Sequence, residues 1–172
     1  MEPTPADAAL RPERPDDAAA ITRVTKLAFR DHPHSRQTEQ DIIERLRRAG
    51  ALTVSLVAEA AGQIVGHIAF SPVAFSDGSA GWYALGPVSV VPARQGQGIG
   101  RALIDEGLAA LRARGAAGCV VVGEPALYGR FGFRSHPDVT MGGVPRRYVQ
   151  LLAFGSQRPT GQVLHHDAFE AG

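Results

Sequence analysis

Cysteine is almost absent from this sequence, which contains one, Cys119, among 172 residues. A single cysteine excludes a disulfide framework within the chain and favours a reducing compartment, so we expect a cytoplasmic location. Cys119 lies in the apolar run of residues 119 to 122. Because a thiol in such a run usually packs as a small hydrophobic side chain, we do not interpret it as a nucleophile.

Long apolar segments and strong net charge are also missing. No stretch approaches the ~20 apolar residues that cross a bilayer, and the acidic, proline-containing residues 1 to 9 differ from a secretory signal. The formal net charge is +1, which provides no basic field for holding a polyanion. The sequence therefore predicts neither a membrane span nor a nucleic-acid partner.

The composition that remains is that of an ordinary globular protein, with 44% hydrophobic and 20% charged residues. A chain of 172 residues suits one hydrophobic core. Since no repeat, low-complexity tract or Pro/Gly-rich linker divides the sequence, we expect a single domain over residues 1 to 172.

Hydrophobic periodicity predicts a mixture of helices and strands. A first strand should end at Pro12, Asp16 and Asp17 should cap an amphipathic helix, and a second helix should run from Thr38 to Gly50. Strands are predicted at residues 52 to 59, 63 to 70, 82 to 91 and 119 to 123, with a helix from Gly98 before the last, and a short helix and a strand-like tail after it. This order predicts an α/β or α+β sheet with helices packed on it.

The most informative stretch is a glycine-rich turn between a predicted strand and a predicted helix, where residues 95 to 101 read Gln-Gly-Gln-Gly-Ile-Gly-Arg. Glycine lets backbone amides approach a ligand closely, and a helix N-terminus adds N–H donors with a positive dipole end. Together they suit a pyrophosphate. A turn that uses glycine only for its conformation has the same appearance.

Two other phosphate-binding motifs fail on spacing. A dinucleotide-binding turn would have Glu124 near the position of its ribose-binding acid, but its third small residue would fall at position 101, which is Arg101. A Walker loop requires Gly-Lys-Ser/Thr, which does not follow.

The stretch from Gln95 to Gly100 is similar to the Arg/Gln-x-x-Gly-x-Gly/Ala pattern of the GNAT acetyltransferases. Downstream, residues 123 to 133 resemble a later element of that family, in which a tyrosine, here Tyr128, precedes an aromatic-glycine-phenylalanine ending. Residues 161 to 169 resemble the end of the YhbS-like branch. The resemblance covers nearly the whole chain and is strongest over residues 84 to 133.

The resemblance implies a GNAT fold: a mixed, mostly antiparallel central sheet flanked by helices, with a V-shaped splay between its fourth and fifth strands. It implies acetyl-CoA as co-substrate, with the pantetheine arm in the splay. The implied contacts to pantetheine and the thioester are the backbone amides of Val88, Ser89 and Val90. The implied pyrophosphate contacts are Gln95, Gly96, Gln97, Gly98, Ile99, Gly100 and Arg101, although Arg101 is also compatible with a solvated helix surface.

The resemblance also implies that Tyr128 protonates the departing thiolate, a role that a phenol can fill because the two groups have similar basicity. A packing tyrosine beside Phe131 and Phe133 is the alternative. An amine nucleophile must lose a proton, and Glu124 is the first candidate base, with Glu59 and His67 as further candidates. Glu124 also suits a helix cap, and His67 a packed strand histidine.

The acceptor is the least determined part. The stretches expected to border it, residues 29 to 37 and 75 to 83, contain only two acids beside histidines, arginines and aromatics. Trp82 and Tyr83 suit either that pocket or core packing. This mixture favours a small amine or amino-acid-like acceptor over a protein N-terminus or lysine. A non-catalytic acyl-CoA sensor is the alternative outside the enzymes.

Neither histidine-rich stretch, residues 31 to 34 or 165 to 167, has the spacing of a defined metal site, so we expect no metal. A homodimer is compatible with the resemblance.

Overall fold

The computed structural model describes residue 5 and residues 7 to 171. In this part of the chain the helices are α1 (Ala18–Phe29), α2 (Glu39–Arg48), α3 (Ile99–Ala113) and α4 (Pro125–Tyr128). The strands are β1 (Ala8–Pro12), β2 (Val54–Ala60), β3 (Gln63–Phe75), β4 (Trp82–Val90), β5 (Gly118–Val122), β6 (Val139–Thr140), β7 (Val149–Ala153) and β8 (Gly161–His165). None of the described helices meets the length and apolarity of a membrane span.

The helices cover the two faces of the sheet because each has an apolar stripe at helical spacing. On one face, Ile21 and Val24 of α1 and Ile43 of α2 are buried against Val57 and Ala69 of the sheet. On the other face, a larger core is formed by apolar residues of α3, the sheet and α4. Its members include Ile68, Phe70, Leu85, Ile99, Leu103, Ile104, Leu108, Leu111 and Tyr128.

The strands form one mixed sheet in the order β1-β2-β3-β4-β5-β7. Strand β4 runs parallel to β5, whereas every other neighbouring pair along this path is antiparallel. Strand β8 extends the sheet beside the far end of β3, and β6 pairs with β8. The expected mixed, mostly antiparallel sheet flanked by helices is confirmed.

The parallel pair β4–β5 holds together at one end only. The pairing runs from Trp82 opposite Gly118 to Ala84 opposite Val120. Beyond Ala84, β4 stays paired with β3 as far as Val90 and contains a bulge, because the register shifts between Leu85 and Val88. The two strands therefore splay into the expected V between the fourth and fifth strands, and the second half of β4 has an open edge.

Several predicted boundaries were wrong, for reasons that lie outside the local pattern. Strand β3 continues past residue 70 to Phe75 because its end pairs with β8, almost a hundred residues later in the chain. The single strand-like tail is three strands, β6 to β8, and β6 has only two residues, too few to show a period. Strand β2 begins at Val54 rather than at residue 52.

The predicted caps were correct in position and wrong in chemistry. Asp17 and Thr38 occupy the N-cap positions of α1 and α2, but neither side chain makes a capping hydrogen bond. The Asp17 carboxylate instead accepts from both Nη atoms of Arg11, at 2.7 and 3.1 Å, and from the Arg14 backbone N–H at 2.6 Å. Arg11 also donates to Glu59 across the β1–β2 pair. Asp17 thereby ties α1 to the edge of the sheet.

We expect Asp17→Asn to lower the free energy of unfolding at pH 7 by about 1 to 2 kcal/mol. The Arg11 hydrogen bonds, and then that from Arg14, hold the pKa of Asp17 at about 2, against 3.8 for a free side chain. The folded state therefore binds protons less readily than the unfolded state. The contribution of the Asp17 carboxylate to the free energy of unfolding is fully present above about pH 4 and is lost as the pH falls through 2.

Urea denaturation at pH 7 and at pH 2.5 measures this difference. The control is Asp16→Asn, since Asp16 is exposed and does not pair with Arg11. An Asp17→Asn deficit as large at pH 2.5 as at pH 7 would show that the ionic charge does not matter.

Candidate active site

The glycine-rich turn connects β4 to α3 in a conformation that requires glycine. Gly96 and Gly98 have φ values of +75° and +89°, a region that L side chains rarely adopt. Gly98 is the N-cap of α3, and no acidic residue lies in the first turn of that helix. The first N–H groups of α3 are therefore not capped by a side chain and are available to an anion.

A cleft of about 590 Å³, here called the glycine cleft, opens beside this turn. It is lined by Val88, Val90, Arg94, Gln95, Gly96, Gly98, Ile99, Gly100, Arg101, Ile104, Leu127, Tyr128, Arg130 and Phe131. Three arginines and no acid belong to this lining. Arg94 pairs with Asp7, whereas the Nε of Arg101 is buried without a hydrogen-bond partner and its guanidinium lies over the Phe131 ring. The lining suits a polyanionic ligand such as a pyrophosphate.

The open edge of β4 presents backbone groups to this cleft. The Val91 N–H donates to the Val65 carbonyl of β3, and successive strand residues point to opposite edges, so the N–H and C=O groups of Val88 and Val90 face away from β3. The Val90 carbonyl confirms this direction, since it accepts from the Gln95 side chain at 2.9 Å.

The same alternation corrects the prediction for Ser89. Its backbone groups point toward β3, where it pairs with His67, and its side chain is 2% exposed. Of the three backbone amides expected to contact a ligand, those of Val88 and Val90 face away from β3, whereas the amide of Ser89 faces its partner strand β3.

A second cleft, here called the histidine cleft, has a volume of about 770 Å³. It shares Val88, Val90, Gln95, Leu127 and Tyr128 with the glycine cleft. Its other lining residues are Ala28, Phe29, His32, His34, Leu85, Gly86, Pro87, Val122, Gly123, Glu124 and Tyr148. The two clefts thus meet in the V between β4 and β5.

Tyr128 lies at this junction. Its ring packs against Phe133 with 6.0 Å between the ring centroids, and a Cβ at Gly123 would overlap the ring. Burial, and then the neighbouring Cys119, raises the pKa of Tyr128. The phenol therefore stays protonated at neutral pH and can donate a proton. The packing of Tyr128 is thus observed, and its role as an acid stays a prediction.

Glu124 occupies the N-cap position of α4, and its carboxylate makes no capping hydrogen bond. The helix start is held by its backbone instead, since the Glu124 carbonyl accepts from the N–H groups of Leu127 and Tyr128, each at 3.0 Å. The side chain is exposed and lines the histidine cleft. It is the only carboxylate in that lining, and it comes from the same short segment as Tyr128.

The two further base candidates lie elsewhere. Glu59 binds Arg11 at the β1–β2 edge. His67 is fully buried on the α1/α2 side of the sheet, 2.8 Å from the Ser55 hydroxyl, and burial lowers its pKa to about 4. His67 is therefore a neutral packed histidine, and neither residue lines the junction.

Trp82 and Cys119 belong to the core. Trp82 packs against Phe75 with ring centroids 5.5 Å apart and donates to Gln157, at the closed end of the V. It does not line the histidine cleft, and Tyr83 packs against the larger core. Cys119 is fully buried, and burial raises the pKa of its thiol, so it is not a nucleophile.

The walls of the histidine cleft were partly predicted. The stretch of residues 29 to 37 contributes Phe29, His32 and His34, whereas residues 75 to 83 contribute none. Tyr148 was missed, because it lies on a short 3-10 turn before β7. It reaches the cleft because its carbonyl accepts from the Gly123 N–H, a contact without a local sequence signal.

A family model described as the acetyltransferase (GNAT) family matches residues 20–133. The chain belongs to the GNAT acetyltransferase family. It is 38% identical over 133 residues to the N-acetyltransferase YhbS of Escherichia coli (strain K12), an alignment that covers 76% of this chain and 77% of that protein. The GNAT fold expected from the sequence is confirmed, and the chain is an acyltransferase by family.

Two GNAT structures extend the likeness to nearly the full length. A GNAT acetyltransferase from Brucella melitensis, solved with acetyl-CoA, is 53% identical with a TM-score of 0.85, covering 94% of this chain and 97% of that one. YhbS from Escherichia coli, solved with CoA, is 34% identical with a TM-score of 0.86, covering 99% and 96%.

Proposed function

We propose that this GNAT protein transfers the acetyl group of acetyl-CoA to the primary amine of a small, amino-acid-like metabolite by direct attack on the thioester. The observation that carries the proposal is the meeting of the two clefts at the open edge of β4, beside Tyr128 and Glu124. A single domain over residues 1 to 172, a cytoplasmic location and a homodimer stay predictions.

The glycine cleft fits the coenzyme by its chemistry. The uncapped N–H groups at the start of α3 and Arg101, whose Nε has no hydrogen-bond partner, would hold the pyrophosphate. The free amides of Val88 and Val90 would pair with the pantetheine arm and polarise the thioester carbonyl. Relatives at 53% and 34% identity were solved with acetyl-CoA and CoA, which supports the same ligand here.

When bound, acetyl-CoA supplies a thioester whose carbonyl carbon gains a bond to the acceptor nitrogen and loses its bond to sulfur. Tyr128 donates its phenolic proton to the departing sulfur, so the coenzyme leaves as a neutral thiol. Glu124 accepts the proton that the acceptor nitrogen must lose, directly or through a water. The amides of Val88 and Val90 hold the reacting carbonyl in place. Because the amine attacks the thioester directly, the acetyl group is at no stage bonded to the protein.

The histidine cleft supports a small acceptor over a protein one. A cleft that concentrates lysine-rich segments would carry several acids, and Glu124 is the only acid in this lining. A volume of about 770 Å³ lies in the range of small-molecule sites. Protein N-terminal or lysine acetylation is the second candidate, and a non-catalytic acyl-CoA sensor the third.

Gly98→Val should abolish the rise in melting temperature that acetyl-CoA gives to the parent protein. A β-branched side chain at a φ of +89° is strained and displaces the N–H groups of the turn. A ligand that binds only the folded state stabilises it by mass action, so lost binding removes the shift. Thermal unfolding with and without acetyl-CoA measures the effect.

The matched control is Gly50→Val, since Gly50 also has a positive φ, +69°, and lies outside both clefts. It should cost similar stability and keep the acetyl-CoA shift. A folded Gly98→Val protein with a normal shift would show that the turn does not hold the coenzyme.

Tyr128→Phe should reduce kcat by about 10²-fold, the typical contribution of a general acid, while the affinity for acetyl-CoA stays unchanged. Phenylalanine keeps the ring contact with Phe133, so the fold should persist. Tyr83→Phe is the control, because Tyr83 lines neither cleft. If Tyr128→Phe turned over at the parent rate, the hydroxyl would have no role as an acid.

The acceptor class is tested by competition between equal concentrations of a metabolite-amine pool and a lysine-rich peptide pool, with products identified by mass spectrometry. We expect acetylated small amines in excess. Acetylation confined to peptides would reject the small acceptor. Tight acetyl-CoA binding without CoA release above background for any amine would identify a sensor.

A further inference from the structure

The histidine cleft is built from elements on opposite faces of the sheet. Glu124 and Tyr128 come from the α4 segment, on the α3 side, whereas Phe29 and His32 come from the end of α1 and the loop after it, on the other side. Tyr148 contributes from the turn before β7. The proposed function uses the first wall and leaves the chemistry of the others unassigned.

His32 offers a hydrogen-bond donor to this cleft. Its Nδ1 accepts from the His34 backbone N–H at 3.3 Å, so the N–H hydrogen of the ring lies on Nε2. The ring is held between its neighbours, with centroid distances of 5.7 Å to Phe29 and 6.2 Å to His34. With Nδ1 occupied, the remaining ring nitrogen acts as a donor, and a ligand that meets it must supply an acceptor such as an oxygen.

Arg147 places a positive charge against Tyr148, a side chain that lines the cleft. An Nη2 of Arg147 donates to the Tyr148 hydroxyl at 2.7 Å, and the guanidinium carbon lies 4.4 Å from the ring centroid. The ion pairs found in the described part of the chain do not include Arg147. The guanidinium therefore contacts a side chain that lines the cleft, and none of these ion pairs balances its charge.

We propose that the acceptor carries an anionic oxygen group, a carboxylate or a phosphonate, bound between His32 and the Arg147–Tyr148 pair while its amine lies beside Glu124 and Tyr128. This inference rests on the proposed function and specifies its substrate class. A hydrogen bond that involves a charged group is stronger than one between neutral groups, which favours an anionic oxygen at this position. The Glu124 carboxylate would attract the acceptor's amine, so the acceptor would lie with its nitrogen toward the junction. A lysine-rich peptide would meet the uncompensated Arg147 charge.

The test compares matched amines that differ only in the anionic group: L-phenylalanine, its phosphonate analogue, L-phenylalaninamide and 2-phenylethylamine, with a leucine series in parallel. CoA release is measured at saturating acetyl-CoA. We expect the anionic members to exceed the neutral ones by about tenfold in kcat/KM, through KM, which corresponds to about 1.4 kcal/mol. The better of the carboxylate and the phosphonate identifies the group.

L-phenylalaninamide controls for the fraction of acceptor that is present as free amine. An α-amino amide is less basic than the parent amino acid, so at one pH it presents more free amine. A preference for the acid over the amide therefore cannot come from the protonation state of the nucleophile.

Two substitutions assign the selectivity to the named residues. His32→Phe keeps the aromatic packing and removes the donor, and Arg147→Gln removes the charge. Each should lower the ratio of anionic to neutral kcat/KM by about threefold, half of the free energy that corresponds to tenfold, without changing the KM for acetyl-CoA. Arg146→Gln is the matched control, since Arg146 is the exposed neighbour of Arg147, and the contacts with Tyr148 are made by Arg147. Its ratio should equal that of the parent.

The outcomes separate this inference from the proposed function. Neutral amines that turn over as well as the anionic ones, or a ratio unchanged in His32→Phe and Arg147→Gln, would overturn the inference and leave small-amine acetylation intact. No CoA release with any of these amines, in a protein that still gains melting temperature from acetyl-CoA, would overturn both.

Discussion

The separation of β5 from β4 beyond Ala84 is the constraint on which the site depends. A strand in the middle of a sheet normally has both edges hydrogen bonded. Here the second half of β4 keeps β3 on one side and has an open edge on the other. The N–H and C=O groups of Val88 and Val90 must therefore find other partners. Gln95 supplies one to the Val90 carbonyl, and a ligand lying along the strand can supply the rest.

Strand β5 is held along its whole length on the edge opposite to β4, by β7. All five residues of β5 pair with β7, from Gly118 opposite Ala153 to Val122 opposite Val149. The Gln150 side chain continues this attachment by donating to the Gly123 carbonyl at 3.0 Å. Next to it, the Tyr128 ring fills the space that a side chain at Gly123 would need. Packing within the protein therefore holds the end of β5 and the start of α4 on the side of the V away from β4.

The sequence was most informative where the chemistry is local. A strand, two glycines at positive φ and a helix start lie within about ten residues. The resemblance to the family pointed to Tyr128 and Glu124, and both line the histidine cleft. Ser89 was misjudged because its orientation depends on the bulge register of β3 against β4. Tyr148 and the tail strands were missed because their positions depend on partners far away in the chain. His67 has the residue type of a base, and only its burial shows that it is neutral.

The charged side chains that line the two clefts differ, so the clefts favour different ligands. The glycine cleft has three arginines and no acid in its lining, so it suits the phosphate end of a coenzyme. The histidine cleft has one carboxylate, Glu124, placed on the segment that leads into Tyr128. An ammonium is attracted to that carboxylate and repelled by the arginines of the neighbouring cleft. The two clefts meet along the open edge of β4 and share Val88, Val90, Gln95, Leu127 and Tyr128. In the proposed reaction, this distribution of charge would place the acceptor nitrogen and the thioester next to each other at Tyr128.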